Sequence, residues 1–257
     1  MNIEYISVSR SGVWKTCQLQ YKFKYHLKVK MDLPEKPYFL YGKLVHKIIE
    51  EHTLAGGDVS IGNISQRCLN GDVAIEGFDV PAKHKLPKEY LNKLDKHLTS
   101  YQNLVRAIGF KGDCEVKFNY DLDPPNKKFA YGFIDRLIIN NGKASIIDYK
   151  TTQAGRWLKT AKNITGDLQL KTYALVVWKE YNIEPENISA SLVYLDGRAI
   201  TGFNSISKQS LLDTQDLLLK IYDEIEKADP EKARGRIARH CEFCDYCSIC
   251  PVFKLTK

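Results

Sequence analysis

The sequence predicts an α/β fold, and three observations carry that expectation. Phe129–Thr152 (FAYGFIDRLIINNGKASIIDYKTT) reads as a β-hairpin, with apolar runs on either side of a tight Asn140–Asn141–Gly142 turn. Helical periodicity precedes it, over residues 86–109, and follows it, from Asp167 and again from Ser207 to Lys227. Four of the seven cysteines, Cys241, Cys244, Cys247 and Cys250, crowd the C-terminus and mark an appended segment. The expected organisation is one domain over residues 1–257. Residues 1–110 are mainly helical, 111–205 form the core, and 206–257 hold a C-terminal helix and the cysteine-rich segment.

Composition narrows the partner. With 257 residues and 44% hydrophobic content the chain is long enough to bury a sizeable core. No apolar run reaches the length of a membrane span, and MNIEYISVSR lacks the basic-then-apolar layout of a secretory signal, so a cytoplasmic, intracellular protein with no membrane partner is expected. The net charge is +7. Residues 1–50 hold nine Lys or Arg against four Asp or Glu, which places +5 of that excess in the first fifth of the chain. In YKFKYHLKVK, basic residues alternate with Tyr21, Phe23 and Tyr25, a pattern that suits phosphate contacts and base stacking and equally suits a solvated amphipathic helix.

In chain order, Ser9–Arg10–Ser11 offers a capping serine for a helix running from Val13 through Tyr25, with Cys17 on it. A second helix is expected from Phe39 to Ile49, ending before Gly56–Gly57, with Gly42 allowing close packing one turn before His46. Taken alone, His46 reads as a core histidine with satisfied hydrogen bonds. Residues 56–87, rich in Gly, Asn and Asp, read as a loosely structured excursion. A helix follows to Gly109, then a strand at Cys114–Tyr120, then the hairpin, so three strands share one sheet. Thr151–Gly166 has the composition of a flexible basic loop. The helix from Asp167 puts Gln169 and Tyr173 on one face at i and i+4. Ile188–Leu195 is a strand, Asp196–Gly197 a turn, and Ile200–Phe203 its partner.

The hairpin carries the chemistry. Asp135 and Asp148 lie on adjacent strands, and Lys150 shares the face of Asp148 because side chains in a strand repeat with period two. Acids set within FID and IID are expensive to bury without compensation, and a divalent cation provides it. Cys68 and Cys114, isolated in the sequence, read as small buried hydrophobes. Four cysteines at two-residue gaps in a cytosolic chain point to metal rather than disulfides.

Gly42-x3-His46, Gly132-x2-Asp135, Asp148-Tyr149-Lys150 and Gln169-x3-Tyr173 occur in the order and approximate spacing of motifs in the RecB-like branch of the PD-(D/E)xK nuclease superfamily. Cys17 together with the C-terminal cysteines resembles the iron–sulfur subgroup of that branch, which includes the AddB nuclease domain and the CRISPR-associated RecB-like exonucleases. The resemblance spans nearly the whole chain, with Gln18 standing where the family has a proline after its upstream cysteine.

That resemblance implies a restriction-endonuclease-like core, a central mixed sheet flanked by helices. It makes His46, Asp135, Asp148 and the Tyr149 carbonyl ligands of Mg²⁺ or Mn²⁺, with Lys150 positioning or activating the attacking water. Glu115, on the preceding strand, is expected to face the same cleft, as a further metal ligand or as an acceptor that hydrogen-bonds to the ligands; Glu115-x-Lys117 is a competing E-x-K that fits the family order less well. Gln169 and Tyr173 are implied to contact DNA or orient the lysine. The family spacing selects Cys17, Cys241, Cys244 and Cys250 for a 4Fe–4S cluster and leaves Cys247 over; a Zn²⁺ site within the tail is the alternative. Closing so long a loop contributes roughly 5 kcal/mol on a chain-entropy model, so the cluster is expected to be structural. The implied activity is phosphodiester hydrolysis by a DNA exonuclease on single-stranded or open-ended DNA, in recombination, repair or CRISPR adaptation, working with a helicase or CRISPR integration proteins. The alternative is a non-cleaving DNA-binding subunit of such a complex.

Overall fold

The computed structural model describes residues 1–152, 159–196 and 199–254. Ten α-helices and five strands are named among them in chain order: α1 Val8–Thr16, α2 Gln18–Tyr21, α3 Pro37–Leu54, α4 Ile61–Asn70, α5 Ala82–Lys85, α6 Lys88–Ile108, β1 Asp113–Asp123, β2 Lys128–Asn140 and β3 Lys143–Lys150. They continue with α7 Ala161–Ile164, α8 Leu168–Tyr181, β4 Ile188–Tyr194, β5 Ala199–Phe203, α9 Lys208–Lys227 and α10 Pro251–Lys254. The strands form one mixed sheet in the order β1-β2-β3-β4-β5, the α/β architecture expected from the sequence. Gly197 of the expected Asp196–Gly197 turn lies outside the described residues, as do residues 153–158 of the expected basic loop. Among the described residues no helix is long and apolar enough to cross a membrane.

The hairpin closes as its sequence dictates. Asn140 pairs with Lys143 across Asn141 and Gly142, whose φ values of 48° and 70° are the left-handed geometry that matches strand twist. β2 and β3 are antiparallel as far as Arg136 opposite Ile147, and Asp135 and Asp148 are the next residue on each strand. β3 then pairs in parallel with β4, from Ala144 opposite Ile188 to Lys150 opposite Tyr194, and β4 pairs antiparallel with β5. β3 is therefore hydrogen-bonded along both edges, which fixes where its side chains point.

Two compact units divide the chain: Met1–Pro34 with Lys117–Gly132 and Gln209–Lys257, and Glu35–Val116 with Phe133–Lys208. In the second, α3, α4 and α6 bury Leu44, Val45, Ile48, Ile64, Leu98 and Tyr101 in one cluster with Ile147, Tyr149 and Val193. By strand alternation Ile146, Asp148 and Lys150 face the other way, toward α8, whose Asp167 caps the Leu170 amide at 2.9 Å. In the first unit, Ile6 bridges to Ala130, and α9 buries Leu211, Leu218, Ile221 and Ile225. Phe118 fills the space a Gly132 side chain would need, its ring 2.7 Å from the position of a Cβ.

Four expectations need correction. Residues 56–87 contain α4, capped by Ser60 at its start and by left-handed Gly71 (φ 86°) at its end. Its apolar stripe is thin, with Ile61, Ile64 and Cys68 buried and little else to signal a helix. Cys17 is not within a helix: it sits extended at φ −160° between α1 and α2, and the chain continues from Lys22 as a π-helix. Ser7 rather than Ser9 or Ser11 caps α1. Gly42 makes no close approach; a Cβ there would meet Thr151 Oγ1 at an ordinary 3.8 Å.

Candidate metal centre

The site lies within the second unit, and four elements supply it. α3 carries His46, β1 carries Glu115, β2 carries Asp135, and β3 carries Asp148, the Tyr149 carbonyl and Lys150. His46 Nε2 lies 3.1 Å from the Tyr149 carbonyl oxygen, while Nδ1 faces Asp135 Oδ2 at 3.6 Å and Glu115 Oε1 at 3.7 Å. The Tyr149 amide donates to Asp135 Oδ2 at 2.7 Å, which holds that carboxylate in place. Among the described residues, the metal-ligating side-chain atoms that gather within 4.8 Å of one another belong to His46, Glu115 and Asp135.

Asp148 is drawn to the lysine instead. Its Oδ2 lies 2.6 Å from Lys150 Nζ, a charge contact without hydrogen-bond geometry, so this buried oxygen has no hydrogen-bond donor. Lys150 donates to Gln169 Oε1 at 3.0 Å, and Gln169 Nε2 reaches the Tyr173 hydroxyl at 2.8 Å. A polar relay thus runs Tyr173–Gln169–Lys150–Asp148, using the i and i+4 positions of α8.

Glu115 takes up a backbone conformation that few side chains tolerate. Its φ is 49°, left-handed, near the start of β1, and the kink aims its carboxylate at His46. Strand patterning carries no signal of such a kink. Arg136 also escaped the sequence reading. It is fully buried, and its guanidinium donates to the Lys111 carbonyl at 3.0 and 2.8 Å and to the Gly109 carbonyl at 2.8 Å. Its neighbour Asp135 faces the site, so period two places Arg136 toward the α6 side, where it clasps the corner that leads into Glu115.

The charges perturb one another. Burial favours a neutral His46 ring, but the carboxylates of Asp135, Glu115 and Asp148 outweigh it and push its pKa up to about 9. Burial raises Asp135, with His46 opposing and Asp148 adding to the rise. Burial likewise raises Asp148, against Lys150. Burial works against the Lys150 ammonium, yet Asp148 holds its pKa above the ordinary lysine value. Without a cation the cluster holds extra protons, as neighbouring buried carboxylates require. The donor set, two carboxylates and a main-chain carbonyl beside one imidazole with the buried Asp148–Lys150 pair adjoining, fits a hard divalent cation such as Mg²⁺ or Mn²⁺.

The first unit holds a second candidate site. Cys17, Cys241, Cys244, Cys247 and Cys250 all line one pocket, together with Leu19, Phe23 and Tyr246. Burial, together with the neighbouring Cys247, Cys17 and Cys241, pushes the Cys244 thiol up to about 11. Cys247 Sγ donates to the Cys241 carbonyl at 2.9 Å, and no disulfide joins any described cysteine. Cys68 is buried and Cys114 half-buried. The aromatics of the YKFKYH stretch turn inward: Tyr21 is fully buried, and Phe23 packs on Tyr246 with ring centroids 5.6 Å apart.

Among solved structures, one titled "Crystal structure of SSO0001" is similar at 17% identity over 91% of this chain and 94% of that one, with a TM-score of 0.40. No curated protein matches the chain. The profile of the PD-(D/E)XK nuclease superfamily matches residues 5–251, a span that includes His46, Glu115, Asp135, Asp148 and Lys150, and the chain belongs to that superfamily of nucleases.

Proposed function

We propose that the protein is a metal-dependent DNA exonuclease acting on single-stranded or open-ended DNA. The observation that carries this reading is the convergence of His46, Glu115 and Asp135 within 4.8 Å, with the Asp148–Lys150 pair beside them. His46, Asp135, Asp148 and the Tyr149 carbonyl would hold Mg²⁺ or Mn²⁺, with Glu115 as a further ligand. When bound, the cation polarises the phosphoryl oxygen, lowers the pKa of a coordinated water and shields the charge that develops at phosphorus. The raised pKa of Lys150 supports an ammonium that orients the attacking water and stabilises negative charge, rather than a free-amine base. Gln169 and Tyr173 hold that ammonium in line through Gln169 Oε1.

The cysteine pocket supports a structural 4Fe–4S cluster on Cys17, Cys241, Cys244 and Cys250. A single tetrahedral zinc held by thiolates of the same pocket, with Zn–S of about 2.3 Å, is the alternative. A helicase or CRISPR integration complex is the kind of partner that would deliver open DNA ends to such an enzyme.

End-labelled single strands incubated with Mn²⁺ or Mg²⁺ should shorten from one end, and Asp148→Ala or Lys150→Ala should abolish the shortening. Undiminished cleavage by both variants would remove the assigned site. Tight DNA binding with no cleavage by the unaltered protein would favour the non-cleaving subunit.

A further inference from the structure

Large apolar rings left in water are informative when they cluster beside a polar site. Among the described residues the exposed aromatics are Tyr38, Phe39, Phe133, Tyr181 and Phe243. Three of these five lie on the two elements that carry His46 and Asp135. Tyr38 and Phe39 are 42% and 57% exposed at the start of α3, with ring centroids 4.5 Å apart. Phe39 precedes His46 by seven residues, two helical turns, which places it within about 20° of His46 around the helix and about 10.5 Å along it. Gly42 lies between them and raises no side chain to obstruct that path. Phe133 is 42% exposed two residues before Asp135, on the same face of β2 by strand alternation.

We propose that the Tyr38–Phe39 pair is a stacking platform for one nucleobase of a single-stranded substrate, next to the phosphate held at the His46 cluster. This rests on the nuclease reading and names what that site receives: an unpaired base, whose face is free to stack. Lys43 follows Phe39 by one turn, and its ammonium is taken up by Glu35 at 2.8 Å and Glu76 at 3.8 Å, so the platform itself acts through its rings. A ring for the base and a cation site for the scissile phosphate then follow one another along one helix. A protein partner would use the exposed rings without needing the alignment with His46.

The test is steady-state cleavage of a single-stranded oligonucleotide by the full chain with Mn²⁺, using Phe39→Ala, Phe39→Trp and strands with one abasic site moved along the terminal positions. Phe39 is more than half exposed, so these variants should fold. Phe39→Ala should raise KM about 5- to 100-fold, the span expected for one base–aromatic stack, with kcat little changed. Phe39→Trp should restore KM. An abasic site at one position should raise the KM of the unaltered protein and add nothing to that of Phe39→Ala. An unchanged KM for Phe39→Ala would overturn the platform. A separate measurement keeps the two readings apart: 2-aminopurine at the sensitive position should be quenched on binding the Asp148→Asn chain, and the quench should vanish when Phe39→Ala is added. Quenching without cleavage by the unaltered protein would retain the platform and sink the nuclease reading. Cleavage without quenching would do the reverse.

Discussion

His46 Nε2 lies 3.1 Å from the Tyr149 carbonyl oxygen, so a helix side chain and a strand main-chain group meet across 103 residues of sequence. In the metal-free protein the imidazolium donates that hydrogen bond and turns its other N–H toward Asp135 and Glu115. A cation entering the cluster must displace this proton, and that requirement sets the pH dependence of the site.

Metal affinity should rise with pH. His46 titrates at about 9 and Asp135 well above the ordinary carboxylate range, so at neutral pH both retain protons that a bound Mn²⁺ expels. Calorimetric titration in buffers of different ionisation enthalpy should show proton release near pH 7 and tighter apparent binding toward pH 9. The stability of the metal-free chain should run the opposite way. A folded-state pKa above the unfolded value gives stability that is present at low pH and lost as pH rises through the folded pKa, so thermal unfolding without metal should move to lower temperature up to about pH 9. A flat profile would contradict the protonated cluster.

Glu115→Gly should separate stability from function. The left-handed φ of 49° favours glycine, so the substitution relieves strain worth about 1 kcal/mol, offset in part by glycine's greater chain entropy. Urea unfolding of the metal-free variant should show unchanged or slightly greater stability, while Mn²⁺ affinity falls at least about tenfold through loss of a carboxylate ligand. Intact affinity would remove Glu115 from the metal shell.

Arg136→Met should act through the corner it clasps. The Lys111 and Gly109 carbonyls would lose a fully buried donor, at about 1–3 kcal/mol for each group left unpaired, and urea unfolding should register a loss of about 3 kcal/mol. Gly112 adds a second tie at this corner: it sits at φ 91°, and a Cβ there would come 2.4 Å from the Leu137 carbonyl oxygen. Mn²⁺ affinity should fall together with stability, because the loosened corner leads directly into Glu115.

Cysteine variants should sort by ligand role. Cys17→Ala, Cys241→Ala, Cys244→Ala and Cys250→Ala should each lose iron and visible absorbance on purification, whereas Cys247→Ala should retain both. Zinc without iron in the unaltered protein, by elemental analysis, would replace the cluster with the smaller site.

Sequence pattern exposed the hairpin, the Asp148–Lys150 face and the Gln169–Tyr173 pair because each rests on local periodicity, and periodicity is set by backbone geometry alone. What escaped depends on long-range compensation. The apolar residues that α4 buries are only Ile61, Ile64 and Cys68, with Ser65 beside them, so they looked like stray apolar residues between glycines. The break at Cys17 has no proline or glycine to announce it. Arg136, read as part of an apolar strand, is tolerable in the interior only because two carbonyls from the end of α6 and the following loop turn toward it. The aromatics beside His46 carry no period of their own, and only exposure in the fold distinguishes them from Tyr21, which the core absorbs.

The double-edged pairing of β3 has a consequence for how the protein assembles itself. Its bond with β2 is a local hairpin across a two-residue turn, which closes on a timescale of about 1–10 μs, whereas β4 and α3 must be recruited from far along the chain. Asp135 and Asp148 are therefore brought side by side before Lys150 has Gln169 or Asp135 has His46. For that interval Asp148 has Lys150 on its own strand but Asp135 faces it without His46, and a one-residue slip that buried Ile147 in place of Asp148 would separate the two carboxylates. Asn141–Gly142 resists that slip by fixing the register at the turn, which makes a solvent-exposed dipeptide a kinetic proofreader of the nuclease site.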